Sequence, residues 1–166
     1  MVQALANQPP GFDRKSQAKQ AVSRAEWHDD FYLGRFLAAQ QAVYPSVLEE
    51  LREGFKRSHW MWFIFPQAKG LGHSPMAQRY AIASRAEAEA YLADPILGAR
   101  LAECTQAMLS HPDSSAHDIL GSPDNMKFCS SMTLFAEVSK KGSLFEQALD
   151  AFCDGRRDER TLAFLN

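Results

Sequence analysis

An all-α fold, a compact single-domain bundle of short and medium helices, is expected from three observations. Helix-start signals recur along the chain as Ser84 with Glu87, Ser115 with Asp118, Ser143 with Glu146, and the Ser74-Pro75 pair. Apolar residues follow a helical period, as in Ile96, Leu97, Leu101, Cys104 and Met108. Strand signals are nearly absent, since no Asn-Gly or Asp-Gly pair joins two alternating runs. At 166 residues, 46% hydrophobic and 23% charged, the chain suits one domain around a single core.

Residues 1–30 read as a flexible N-terminal tail. Gln, Asn, Pro, Ser and Ala dominate it, and Pro9-Pro10-Gly11 breaks any early element. Lys15 to Trp27 has a helical pattern suited to docking, with Trp27 as an anchor. The helical domain is expected over 31–166. Asp29 or Asp30 would cap a first helix carrying Phe31, Leu33, Phe36, Leu37 and Gln40 on one side, and Pro45 would end it. Ser46 with Glu49 then reads as a capping box before Val47, Leu48 and Leu51, with Gly54 as the stop.

Trp60 to Phe65 has β-type composition, but its length and the following Pro66 also fit a short buried helix capped by Ser58. Pro75 opens a helix from Met76 to Ala83, Ser84 one through Leu92, and Asp94-Pro95 the next. A short turn from Ser115 stops at Gly121. Ser122-Pro123-Asp124 opens a longer run to about Val138, Ser143 one to Phe152, and Thr161 to Leu165 closes the fold.

Composition excludes several functions. A formal net charge of -2 gives no general attraction to nucleic acid. No apolar stretch approaches the roughly 20 residues that span a bilayer, so no membrane partner is expected. The cysteines Cys104, Cys129 and Cys153 are odd in number, widely spaced and free of C-x-x-C pairs. They read as buried thiols in a reducing cytoplasm rather than as disulfides or a zinc site. The five histidines lack ligand spacing, so neither a metal nor a cofactor is expected.

Two blocks carry candidate chemistry. The first is Lys56-Arg57-Ser58-His59-Trp60-Met61-Trp62-Phe63-Ile64-Phe65-Pro66-Gln67. His59, if buried beside Trp60, would titrate low and serve as a general base or hydrogen-bond donor. Lys56 or Arg57 can receive a phosphate or carboxylate, Trp60 and Trp62 can stack on a ring, and Gln67 is held rigid by Pro66. Arg79-Tyr80 lies where an inward helix N-terminus would favour an anion. In the second block Asp124, Lys127 and Ser131 share a helix face, with Ser130 alongside. Each of these residues also has a structural reading, as core filler, surface charge or an ordinary i,i+3 ion pair.

The first block, Met76-Ala77-Gln78-Arg79-Tyr80-Ala81-Ile82, and Ser122-Pro123-Asp124 through Ser130-Ser131-Met132-Thr133-Leu134-Phe135 together resemble a bacterial family, domain of unknown function 1810. The resemblance spans about 31–165 and implies a compact, mainly helical cytosolic domain without an established activity. The calpastatin label that some members carry describes a long disordered inhibitor and does not suit this composition. Asn125-Met126 and Phe128-Cys129 depart from relatives that show a second acid and a basic residue there.

Three functions are weighed, of which a nucleic-acid binder is disfavoured by the acidic balance of charge and two remain. One is a pocket for an anionic or nucleotide-like small molecule, with His59 and Asp124 as acid-base groups for hydrolysis of a glycosidic or ADP-ribose-type bond. The Arg79, Lys127 and Trp60 chemistry is similar in style to NADAR-type ADP-ribosyl hydrolases, an analogy only. The other is an interaction module with the aromatic block at a seam, as a monomer or homodimer.

Overall fold

The computed structural model describes residues 31–166, and the tail expected over 1–30, its helical pattern and the caps Asp29 and Asp30 lie outside them. The chain divides into two units, Met1–Gly34 and Arg35–Asn166. Of the first, residues 31–33 form a turn in which Tyr32 adopts a positive φ of 55°.

Ten helices run through the described residues: α1 Gly34–Gln41, α2 Tyr44–Glu53, α3 Met61–Ile64, α4 Pro75–Arg79, α5 Arg85–Ala93, α6 Leu97–Leu109, α7 Ala116–Leu120, α8 Asp124–Glu137, α9 Leu144–Phe152 and α10 Glu159–Leu165. The fold is all-α. One isolated parallel bridge joins Ala68 to Ile82. No helix among the described residues is long and apolar enough to cross a membrane.

Local signals set most of the boundaries. The hydroxyls of Ser74, Ser84, Ser115 and Ser143 each accept the N–H three residues on, and Asp118 completes a capping box with Ser115. Asp94 accepts the N–H groups of Ile96 and Leu97, both at 2.9 Å, and so serves the start of α6. Gly54 ends α2 in the left-handed conformation at φ 81°, as a C-terminal glycine does.

Three expectations are corrected. α2 begins at Tyr44 rather than after Ser46, because Pro45 occupies its first turn, where a missing N–H costs nothing. Ser58 does not cap α3, since its hydroxyl donates to Glu50 at 2.6 Å and Trp60 takes the cap position. The helix from Pro75 stops at Arg79 because the next residues pair elsewhere. Ile82 donates to Gln67 at 2.9 Å and accepts from Lys69 at 2.8 Å.

α6 and α8 are the central helices. α6 packs against α2, α5 and α9, and α8 against α5, α7, α9 and α10. Gly98 lets α6 begin tight against the end of α5, since a Cβ there would stand 2.2 Å from the Leu92 carbonyl oxygen. The core is aromatic. Tyr91 meets Phe36 edge-on at 5.0 Å, a geometry favoured by ring quadrupoles, and lies tilted against Phe135 at 5.3 Å. Gln40, 1% exposed, donates to the Phe63 carbonyl at 2.7 Å and the Tyr91 hydroxyl at 3.1 Å, and accepts from Arg100 at 3.3 Å. Its buried amide is thereby paired on both ends, as a core amide must be.

The cysteine expectation is overturned in part. Cys129 on α8 and Cys153 after α9 form a disulfide, with Cα atoms 5.9 Å apart, while Cys104 is a free buried thiol. The short loop between α8 and α9 makes them antiparallel neighbours, which brings the start of one to the end of the other. Nothing in a separation of 24 residues announces that pairing.

Candidate functional site

The first block is held in place by one buried carboxylate. Glu50, 4% exposed, accepts the backbone N–H groups of Arg57 and Ser58, the Ser58 hydroxyl and, at 3.3 Å, the Trp60 indole N–H. Burial opposes ionisation of Glu50, but the Ser58, Arg57 and Trp60 donors outweigh it and hold the carboxyl below its ordinary range. Lys56 is tied by its own N–H to the Ile119 carbonyl at 2.7 Å. The chain between α2 and α3 is therefore fixed at several points, and α3 leaves it in one direction.

α3 sends most of its aromatic side chains into the core. Trp60, Phe63 and Phe65 are 1%, 7% and 1% exposed, so the block offers little to an interface beyond the half-buried Trp62. Phe65 meets Phe128 edge-on at 5.0 Å, and Phe128 meets Phe152 at 5.8 Å. This line of rings joins α3, α8 and the end of α9.

The polar residues of α8 sit at its first turn. Asp124 contacts the Lys56 ammonium at 3.0 Å and the Lys127 ammonium at 3.8 Å. The two lysines in turn lie over Trp60 and Trp62, at 5.1 and 5.7 Å from the ring centres. α8 starts after a cis Ser122–Pro123 bond.

A cavity of about 660 Å³ opens between these elements, within the range of small-molecule sites. Trp62, Phe65, Tyr80 and Phe152 supply aromatic wall. Gln67 lines it because the Ala68–Ile82 bridge fixes its loop, and Gly72 lies so close to Ala77 that a Cβ would stand 2.6 Å from the Ala77 Cβ. The Cys129–Cys153 pair also lines it.

The cavity's charge comes from Lys127 and the segment after α9. Arg157 is committed to structure, reaching Glu137 at 2.6 Å and Glu146 at 2.8 Å. Glu146 is held below its ordinary range first by the Gly142 N–H, which with help from Arg157 outweighs the opposing effect of burial. The Asp158 carboxylate caps α10 by accepting from Thr161. Arg160 donates to the Gly70 carbonyl at 3.1 Å, and Arg156 is exposed and without an ion-pair partner among the described residues. Lys127, Arg156, Arg157 and Arg160 line the cavity against two lining carboxylates, Asp154 and Asp158, so its wall carries a surplus of positive charge although Lys127 also contacts Asp124 at 3.8 Å. Asn125 Oδ1 is buried without a hydrogen-bond partner, and Asn125 lines the same cavity.

Of the candidate residues, Trp62, Gln67, Tyr80, Lys127 and Ser130 line this cavity together. Lys56 and Asp124 lie next to it as an ion pair, and Trp60 is in the core. His59 is exposed and Arg79, also exposed, lies over the Tyr80 ring at 5.5 Å; neither lines the cavity. Ser131 is fully buried with its hydroxyl unpaired, because α8 passes from surface to core within two turns. Arg156 and Arg160 lie outside the two candidate blocks, and the disulfide runs against the free-thiol expectation. The run Gly155-Arg156-Arg157-Asp158-Glu159-Arg160, with three guanidiniums in five residues, was the available signal.

The chain belongs to a family described as a protein of unknown function, DUF1810, whose pattern matches residues 30–165. It is similar to the conserved hypothetical protein Rv1873 from Mycobacterium tuberculosis, known from a crystal structure at 1.38 Å. The two share 51% identity and a TM-score of 0.80 over 82% of this chain and 97% of that one. No curated protein matches the chain.

Proposed function

We propose that this member of a family without assigned activity binds a small anionic molecule with an aromatic or apolar portion, nucleotide-like in size. One observation carries the reading: a cavity of about 660 Å³ combines an aromatic wall at Trp62 and Tyr80 with the cations Lys127, Arg156 and Arg160. Rings stack on such a wall, and guanidinium and ammonium groups take phosphate or carboxylate oxygens.

Binding has more support than bond cleavage. Hydrolysis of a glycosidic or ADP-ribose-type bond would call on His59 and Asp124. His59 stands outside the cavity, and Asp124 holds two ammonium groups in place. Asp124 is better read as the group that orients Lys127.

Thermal denaturation with a panel of AMP, ADP-ribose, pyrophosphate and citrate tests the reading. At 100 times Kd a true ligand stabilises by about 2.7 kcal/mol. The Lys127→Met, Arg156→Met double variant should lose that response. An inert panel, or a double variant that responds like the parent, refutes it.

A further inference from the structure

We propose that the Cys129–Cys153 disulfide is a reaction centre of this cavity, at which a small thiol bearing a carboxylate or phosphate exchanges into the bond. The inference rests on the anion-binding reading above and deepens it by naming the ligand's reactive group. Both cysteines line the cavity, and Phe152 with Arg156 flanks Cys153 within three residues. A thiol held by its anionic end at Lys127 or Arg156 therefore brings its sulfur into the compartment that holds the bond.

The step balances without a further reagent. The bound thiolate attacks the Cys153 sulfur, forming one S–S bond as the Cys129–Cys153 bond breaks. The electron pair leaves on Cys129, whose thiolate takes a proton from water. The incoming thiol is oxidised to a mixed disulfide on Cys153, and Cys129 is reduced. Exchange thus cuts the covalent tie between α8 and the 153–158 segment, the part of the cavity that carries Arg156 and Arg157.

The full chain in its disulfide form is incubated with 3-mercaptopropionate, 2-mercaptoethanol or cysteamine, which are anionic, neutral and cationic thiols of similar size. Intact mass and peptide mapping follow the adduct, with rates expressed per thiolate. Mercaptopropionate should react at least about tenfold faster than cysteamine, a ratio that converts to about 1.4 kcal/mol of charge preference. The adduct should sit on Cys153, and Lys127→Met with Arg156→Met should abolish the preference. Equal rates for the three thiols, or an adduct on Cys129 alone, overturn the proposal. Stabilisation by the thiol-free anions without any adduct overturns exchange alone and leaves the binding reading standing. A charge-blind adduct together with an inert anion panel removes both.

Discussion

Replacing Glu50 should loosen the support of the α3 wall. In Glu50→Ala the Ser58 hydroxyl and the backbone N–H groups of Arg57 and Ser58 lose a charged acceptor. Arg57 and Ser58 are exposed residues, so water can replace part of what is lost, which leaves about 1 kcal/mol for each bond. The Trp60 indole N–H is different. Its residue is 1% exposed, so an unpaired donor there costs about 1–3 kcal/mol. Together the loss comes to about 4–6 kcal/mol, with about half of that for Glu50→Gln, which keeps one carbonyl acceptor. Urea denaturation followed by tryptophan emission measures it as a fall in midpoint at constant slope. The effect also carries a pH signature. Glu50 is held below its unfolded value, near 4.3 for an ordinary glutamate. Its contribution is therefore complete above about pH 4.3 and fades as pH falls through the lower folded value. The gap between parent and Glu50→Gln should narrow in that acid window. A Glu50→Ala loss below about 1 kcal/mol, or a gap that stays constant to low pH, refutes the account of how α3 is anchored.

Four other outcomes follow from the same structure. Gly98→Ala should cost at least about 1–3 kcal/mol by denaturant midpoint, because the new Cβ meets a backbone oxygen that cannot swing aside. Cys129→Ser should lower stability by about 3.5 kcal/mol relative to the disulfide-bonded parent in the loop-entropy picture for a separation of 24 residues, and the reduced parent should show the same loss. Native protein treated with iodoacetamide after reduction should be alkylated at Cys129 and Cys153 but not at Cys104. Burial pushes the Cys104 thiol up to about 12, and mass mapping reads the difference. Asp94→Ala should cost about 1–2 kcal/mol in thermal unfolding, since two N–H groups at the start of α6 lose their acceptor.

The helical plan was legible because its causes are local. Each serine cap at 74, 84, 115 and 143 acts on an N–H three residues away, and Gly54 ends α2 through its own φ. No distant group enters those interactions, so residue type and spacing suffice. The failures have an equally specific cause. Ser46 and Ser58 carry the chemistry of caps, but Pro45 offered an earlier helix start and Glu50 a stronger acceptor.

Half of the site was beyond such reading. Whether Lys127 or His59 meets the cavity depends on how α3 and α8 rotate against each other, and that angle is set by the rings of Phe65 and Phe128. Arg160 meets Gly70 across 90 positions, and Cys129 meets Cys153 only because α8 and α9 run back along each other. The residues themselves dictate that helices form and where they start and stop, because backbone capping is satisfied within a few positions. Which side chains share a hollow follows from packing between segments far apart along the chain, where burying rings as a group outweighs the preference of any one residue.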